Sequence, residues 1–147
     1  MKTIKRYSFL LISLIWVAGM AQGQNTRDLL KAHTWRSEDR IFYVRFDNQF
    51  MYDYSYYTSS GIDHENYPYK GQYYLSNNKN FDQNGVNFQT SLVGNTTTGK
   101  YIILHGLVLE IVRLTSMELQ LKPLNRTGGM EIRYLPYTGA LPPGFPQ

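Results

Sequence analysis

The run LVLEIVRLTSMELQL, Leu107–Leu121, decides how the rest of the chain reads. From Met117 to Lys122 apolar and polar side chains alternate. This period of two puts Met117, Leu119 and Leu121 on one face of a strand and Glu118, Gln120 and Lys122 on the other. Val108–Val112 ahead of it is rich in β-branched residues and leucine, and Thr115-Ser116 lies between the two runs, so the pair reads as an antiparallel hairpin. Two strands cannot bury the apolar face they create, so the flanking sequence has to supply more sheet.

Upstream, the same alternation recurs. Ile41–Phe46 places Phe42, Val44 and Phe46 on one side and Tyr43 and Arg45 on the other. Asp47-Asn48 is a turn signal, because both side chains bond their own backbone. Phe50–Tyr57 then places Phe50, Tyr52, Tyr54 and Tyr56 on one side and Met51, Asp53 and Ser55 on the other. Before this second hairpin, His33–Ser37 reads as a short first strand centred on Trp35, a core anchor whose ring closes the interior and whose N–H needs an acceptor. Still earlier, Thr26 is expected to cap one helical turn, with Asp28 and Lys31 suiting the helix dipole and Leu29 and Leu30 plugging one end of the sheet structure.

Thr58–Pro68 has no sustained period and reads as the longest loop. Lys70–Ser76 resumes a strand with Tyr73 and Leu75 inward. Phe81-Asp82 is a short pairing segment, and Val86–Thr90 alternates as a further strand. Lys100–His105 is a dense strand that Gly106 bends, as a bulge would at a barrel corner. Pro123 ends the Leu107–Leu121 hairpin, and Met130–Leu135 is the last strand. From Pro136 the prolines preclude pairing, leaving either a flexible end or an extended strap. About eight to ten short strands with short connections imply an antiparallel barrel, closed so that no edge stays exposed. A two-sheet sandwich is the alternative that alternation alone leaves open.

The amino end has the order of a secretory signal peptide: basic Lys2, Lys5 and Arg6, apolar Phe9–Val17, then small residues to Gly23. The domain expectation is therefore a signal over 1–23, a barrel over 24–135 and a proline-rich tail over 136–147. Removing the signal takes three of the 15 basic residues, leaving 12 against 11 acidic ones. Without a basic cluster the chain has no counterion-releasing surface for nucleic acid. An exported domain with no cysteine must be held by packing alone, or by a partner. The expected location is periplasmic or secreted, with no membrane span after signal removal.

The series KAHTW, FYVRFDNQFMYDY, KGQYYLS, EIVRLTSMELQLK and MEIRYL, spread over Leu29–Leu135, resembles the small lipocalin-like barrel proteins exported by Bacteroidetes and related bacteria. The resemblance implies an eight-stranded up-and-down barrel with a helix over one end, no shared catalytic set, and in lipocalin relatives the binding of small apolar molecules.

Motifs for chemistry are sparse. There is no cysteine nucleophile, phosphate-gripping glycine loop or HExxH, and His64 between Asp63 and Glu65 does not make a metal site, since adjacent strand residues diverge. The reading is a non-enzymatic binding protein with no cofactor and no metal. An unconventional hydrolase assembled from distant residues is the remaining catalytic alternative. Glu110 and Arg113 are expected to form an ordinary ion pair. The tyrosines allow three readings. Tyr52, Tyr54 and Tyr56 line a cup with Phe42 and Tyr73 and admit a small apolar or aromatic ligand. Otherwise the Tyr52–Tyr74 region docks a protein partner in an envelope or secreted assembly, which is the principal expectation; or the rings simply fill the barrel and screen the sheet.

Overall fold

The computed structural model describes residues 24–59, 62–125, 129–142, 144 and 145, excluding the side chains of 56–59 and 62–67. The leader expected over 1–23 lies outside the described residues. The chain opens with helix α1 (Thr26–Lys31), followed by β1 (Thr34–Ser37), β2 (Phe42–Phe46), β3 (Phe50–Ser59), β4 (Ile62–Gln72) and β5 (Tyr74–Ser76). The short strands β6 (Phe81–Asp82) and β7 (Gly85–Val86) pair only with each other. Then come β8 (Tyr101–Ile103), β9 (Val108–Leu114), β10 (Leu119–Pro123) and β11 (Ile132–Tyr137).

Nine strands form one antiparallel sheet in the order β4-β3-β2-β1-β11-β10-β9-β8-β5. Its two ends are consecutive in sequence, separated only by Tyr73. The same bent strand therefore supplies both edges: its first half pairs with β3 and its second half with β8. The result is a nearly closed, lipocalin-like barrel behind a short helix, as the alternation implied. Counted as one bent strand, β4 and β5 give an eight-stranded meander whose first and last strands pair. The sandwich alternative falls.

The interior is one apolar cluster that includes Leu30, Trp35, Val44, Phe46, Met51, Tyr73, Leu75, Leu119, Leu121 and Tyr134, all nearly or fully withdrawn from solvent. Helix α1 plugs one end. Asn25, not Thr26, is its cap, its Oδ1 accepting the Asp28 N–H at 2.9 Å. Leu30 is fully buried, and its carbonyl accepts the Trp35 indole N–H at 2.9 Å. Lys31 reaches Asn48 in the β2–β3 turn, and the Arg27 backbone N–H bonds the Thr97 carbonyl. At the opposite end, where β1 ends and β2, β9 and β11 begin, no helix plugs the interior among the described residues; there the β8–β9 turn packs Leu104 and Leu107 against the cluster.

Several expectations need correction. The Thr58–Pro68 segment pairs as strand from Ile62 on, opposite β3, with a register shift between Ser55 and Tyr57. Pro68 is tolerated because β4 hydrogen-bonds to β3 alone and is an edge. Met117 is 65% exposed, because the β9–β10 turn extends to Glu118 and the strand begins at Leu119. Val86–Thr90 leaves the ladder after Val86 and enters a 3-10 turn over Thr90–Leu92, since no strand lies beside it to pair. Gly106 sits in the β8–β9 turn closed by the Leu104 N–H to Leu107 carbonyl bond; the bulge lies instead between Gln120 and Leu121. Arg113 pairs with Glu118 across β9–β10 at 3.4 Å rather than with Glu110.

The last strand also runs further than the prolines suggested, through Pro136 and Tyr137. The Glu38 N–H donates to the Arg133 carbonyl, so in the same register Pro136 opposite Trp35 turns its nitrogen away from β1. On that other side β10 has already ended at Leu119, and no donor is missed. The remaining tail is a strap. Tyr137 donates its hydroxyl to the Ala140 carbonyl, Gly144 takes a left-handed φ of 83°, and Phe145 returns to the barrel wall, 5% exposed.

Candidate functional site

Cross-strand partners in an antiparallel pair share a face, and this rule sorts the aromatic residues. The β2–β3 register pairs Phe42 with Ser55, Val44 with Asp53 and Phe46 with Met51; between them Tyr43 pairs with Tyr54 and Arg45 with Tyr52. Val44, Phe46 and Met51 belong to the interior cluster, so Phe42, Asp53 and Ser55 also face inward. Tyr52 and Tyr54 face outward. The expected cup of Phe42, Tyr52, Tyr54, Tyr56 and Tyr73 is therefore not assembled. Phe42 stands at the unplugged end of the interior, and Tyr73 at the helix end, its hydroxyl bonded to the Asp47 carbonyl at 2.7 Å. The Tyr56 side chain lies outside the described residues. Trp35 lies fully buried in the interior, with the His33 ring edge-on at 5.0 Å.

On the outside, Tyr43, Tyr52, Tyr54 and Phe145 form a second cluster, with Phe50 and Tyr137 packed against it. Phe145 lies 5.8 Å from the Tyr54 ring, and Tyr54 has no exposed surface left. Cations are layered on these rings: Arg45 over Tyr52 at 4.4 Å, Arg36 over Tyr137 at 4.4 Å and Lys70 over Phe50 at 4.4 Å. Tyr52 and Tyr54 of the region expected to dock a partner are thus already withdrawn in a cluster with the chain's own strap, while Tyr69 stays 46% exposed. Beside them, Asp47, Asn48, Gln49, Phe50, Tyr52 and Lys70 line a shallow open depression of about 350 Å³. Burial works against the Asp47 charge, but the N–H groups of Gln49 and Phe50 and the Tyr52 hydroxyl outweigh it and hold the carboxyl below its ordinary range.

The inner face holds the residue that the sequence reading passed over. Asp53 projects inward between Met51 and Ser55, and its Oδ1 is removed from solvent without a hydrogen-bond partner. Burial pushes its carboxyl up to about 6, offset in part by the Tyr54 N–H. Leaving a buried polar atom unmet costs roughly 1–3 kcal/mol, which makes it informative. Asp53 as a whole keeps some accessible surface. Around it stand Tyr134, whose hydroxyl is pushed far up by burial and then by Asp53 and Asp39, and Ser37, which donates to Asp39 and accepts the Phe42 N–H at 2.9 Å. Phe42 and Ile132, half-buried, wall the same end. The signal that would have found Asp53 is its parity with Met51 once the hairpin register is set.

Among the described residues no three His, Asp or Glu side chains converge as metal ligands. His105 stacks on Phe88 at 3.8 Å; the His64 side chain lies outside the described residues. No described helix is long and apolar enough to cross a membrane. No family model, curated protein or solved structure matches this chain.

Proposed function

We propose that this protein is a non-enzymatic carrier that takes a small, largely apolar or aromatic ligand at the unplugged end of the barrel. The observation behind this reading is Asp53: one carboxyl oxygen buried without a partner on the inner face that Phe42 and Ile132, half-buried, share. Binding sites combine apolar walls with a few placed polar groups, and an unmet polar atom facing such walls is what a ligand would satisfy. Docking through a tyrosine-rich face has less support, because Tyr52 and Tyr54 are withdrawn in a cluster with Phe145. On the leader pattern and the bacterial resemblance we assign the protein to the periplasm or the secreted fraction of such a cell. Native mass spectrometry of protein purified from its own host tests the reading. A retained small molecule, lost in a Phe42→Glu variant that still folds, is expected. A bare polypeptide mass, together with no uptake of the neutral apolar dye Nile red, would overturn it.

A further inference from the structure

Resting on that reading, the residues at the unplugged end specify the ligand's charge. Two elements bring titratable groups toward Asp53. Strand β11 supplies Tyr134, and the β1–β2 turn contributes Asp39, which with Asp53 acts on the Tyr134 hydroxyl; Tyr69 of β4 is opposite Asp53 in register, but its ring turns back over Gly71 and is 46% exposed. Strand β2 offers only Val44. Two acids and the Tyr134 phenol thus gather without a described lysine or arginine among them. The cations of these strands are turned elsewhere: Arg45 lies over Tyr52 on the outer face, and Arg133 pairs with Glu118 at 2.9 Å and with Glu38. Arg40 in the same turn stays exposed. An anionic ligand would meet two carboxylates with no counter-charge, whereas a cation would supply the donor that Asp53 Oδ1 lacks.

We infer that the ligand carries a protonated amine on an apolar or aromatic body, with the ammonium seated on the Asp53 carboxylate beside Tyr134 and the body against Phe42 and Ile132. The Tyr134 ring favours the same charge, since an aromatic face attracts a desolvated ammonium. Binding should follow ionisation of Asp53: present at pH 8, and weakened as the acid takes up its proton on the way to pH 5.

Calorimetric titration of the purified protein with 2-phenylethylamine, 2-phenylethanol and 3-phenylpropanoate tests this. The ammonium form is expected to bind at least about tenfold tighter than the alcohol at pH 8. The gap should close at pH 5 and in Asp53→Asn, while the alcohol's own affinity stays the same in both. The alcohol or the carboxylate binding as tightly as the amine at pH 8 would overturn the charge assignment and leave the carrier reading in place. Amine preference surviving in Asp53→Asn, with a native circular dichroism spectrum, would also overturn it. Failure of all three probes and of Nile red would overturn the carrier reading, and this inference with it.

Discussion

At Asp53 the folded state holds an acid where ionisation is opposed, so its carboxyl lies near 6 instead of the roughly 3.9 of an unfolded chain. A raised acid is a better proton binder folded than unfolded. Its contribution is therefore fully present below about pH 4 and is lost as pH climbs through about 6. Asp53→Asn should raise stability at pH 7.5 by roughly 2–3 kcal/mol and change it little at pH 3.5, read as a shift in urea midpoint at the two pH values. An unchanged midpoint at pH 7.5 would mean the carboxyl is comfortably solvated. A stabilising substitution at the proposed binding residue would be the usual trade between stability and function. Trp35 belongs to the opposite class. It is buried on every side and its indole donor is met by the Leu30 carbonyl. Trp35→Ala should cost roughly 3–5 kcal/mol in the same titration, and a loss under about 1 kcal/mol would contradict its place in the core.

Among the elements, the strap makes the sharpest prediction. Phe145 seats on Tyr54 and under Arg45, which lies 5.7 Å from its ring, although only Pro142 and Gly144 of the turn before it are described. Phe145→Ala should lower stability by roughly 1–3 kcal/mol, and truncation after Ala140 by at least as much; a midpoint that does not move would make the strap ornamental. The strap also shows where sequence reading reaches its limit. Period two correctly separated Val44, Phe46, Leu119 and Leu121 from their polar neighbours, because each strand has one face toward the core. It failed where both faces are apolar. Along β3 the tyrosines alternate as regularly as Met51 and Asp53 do, so the stronger hydrophobic pattern pointed outward, toward a surface that Tyr137 and a phenylalanine distant in sequence help to cover. Thr58–Pro68 failed for another reason. An edge strand may keep a proline that a central one would reject, and composition does not say which strand is the edge.

At the scale of the molecule, closure joins the first and last strands of the sheet, with β1 pairing β11 from Thr34 against Tyr137 to Ser37 against Tyr134. Trp35 stands in that seam, opposite Pro136 on one side and Val44 on the other. Contacts so distant in sequence make folding slow, so refolding followed by Trp35 fluorescence should take milliseconds to seconds, and a microsecond phase carrying most of the amplitude would contradict it. The bent strand leaves one further mark. Because β4 bonds only to β3, its other flank faces outward, and an open flank is an invitation for a second molecule to add itself. The Tyr73 N–H donates to the Gln49 carbonyl, and by that register Pro68 and Lys70 turn their nitrogens to the open flank. There the first has no hydrogen to give and the second adds charge, both known deterrents to edge pairing. A crowded compartment would otherwise favour polymerisation, and a Pro68→Thr, Lys70→Thr double variant should scatter light increasingly on storage while the parent solution stays clear.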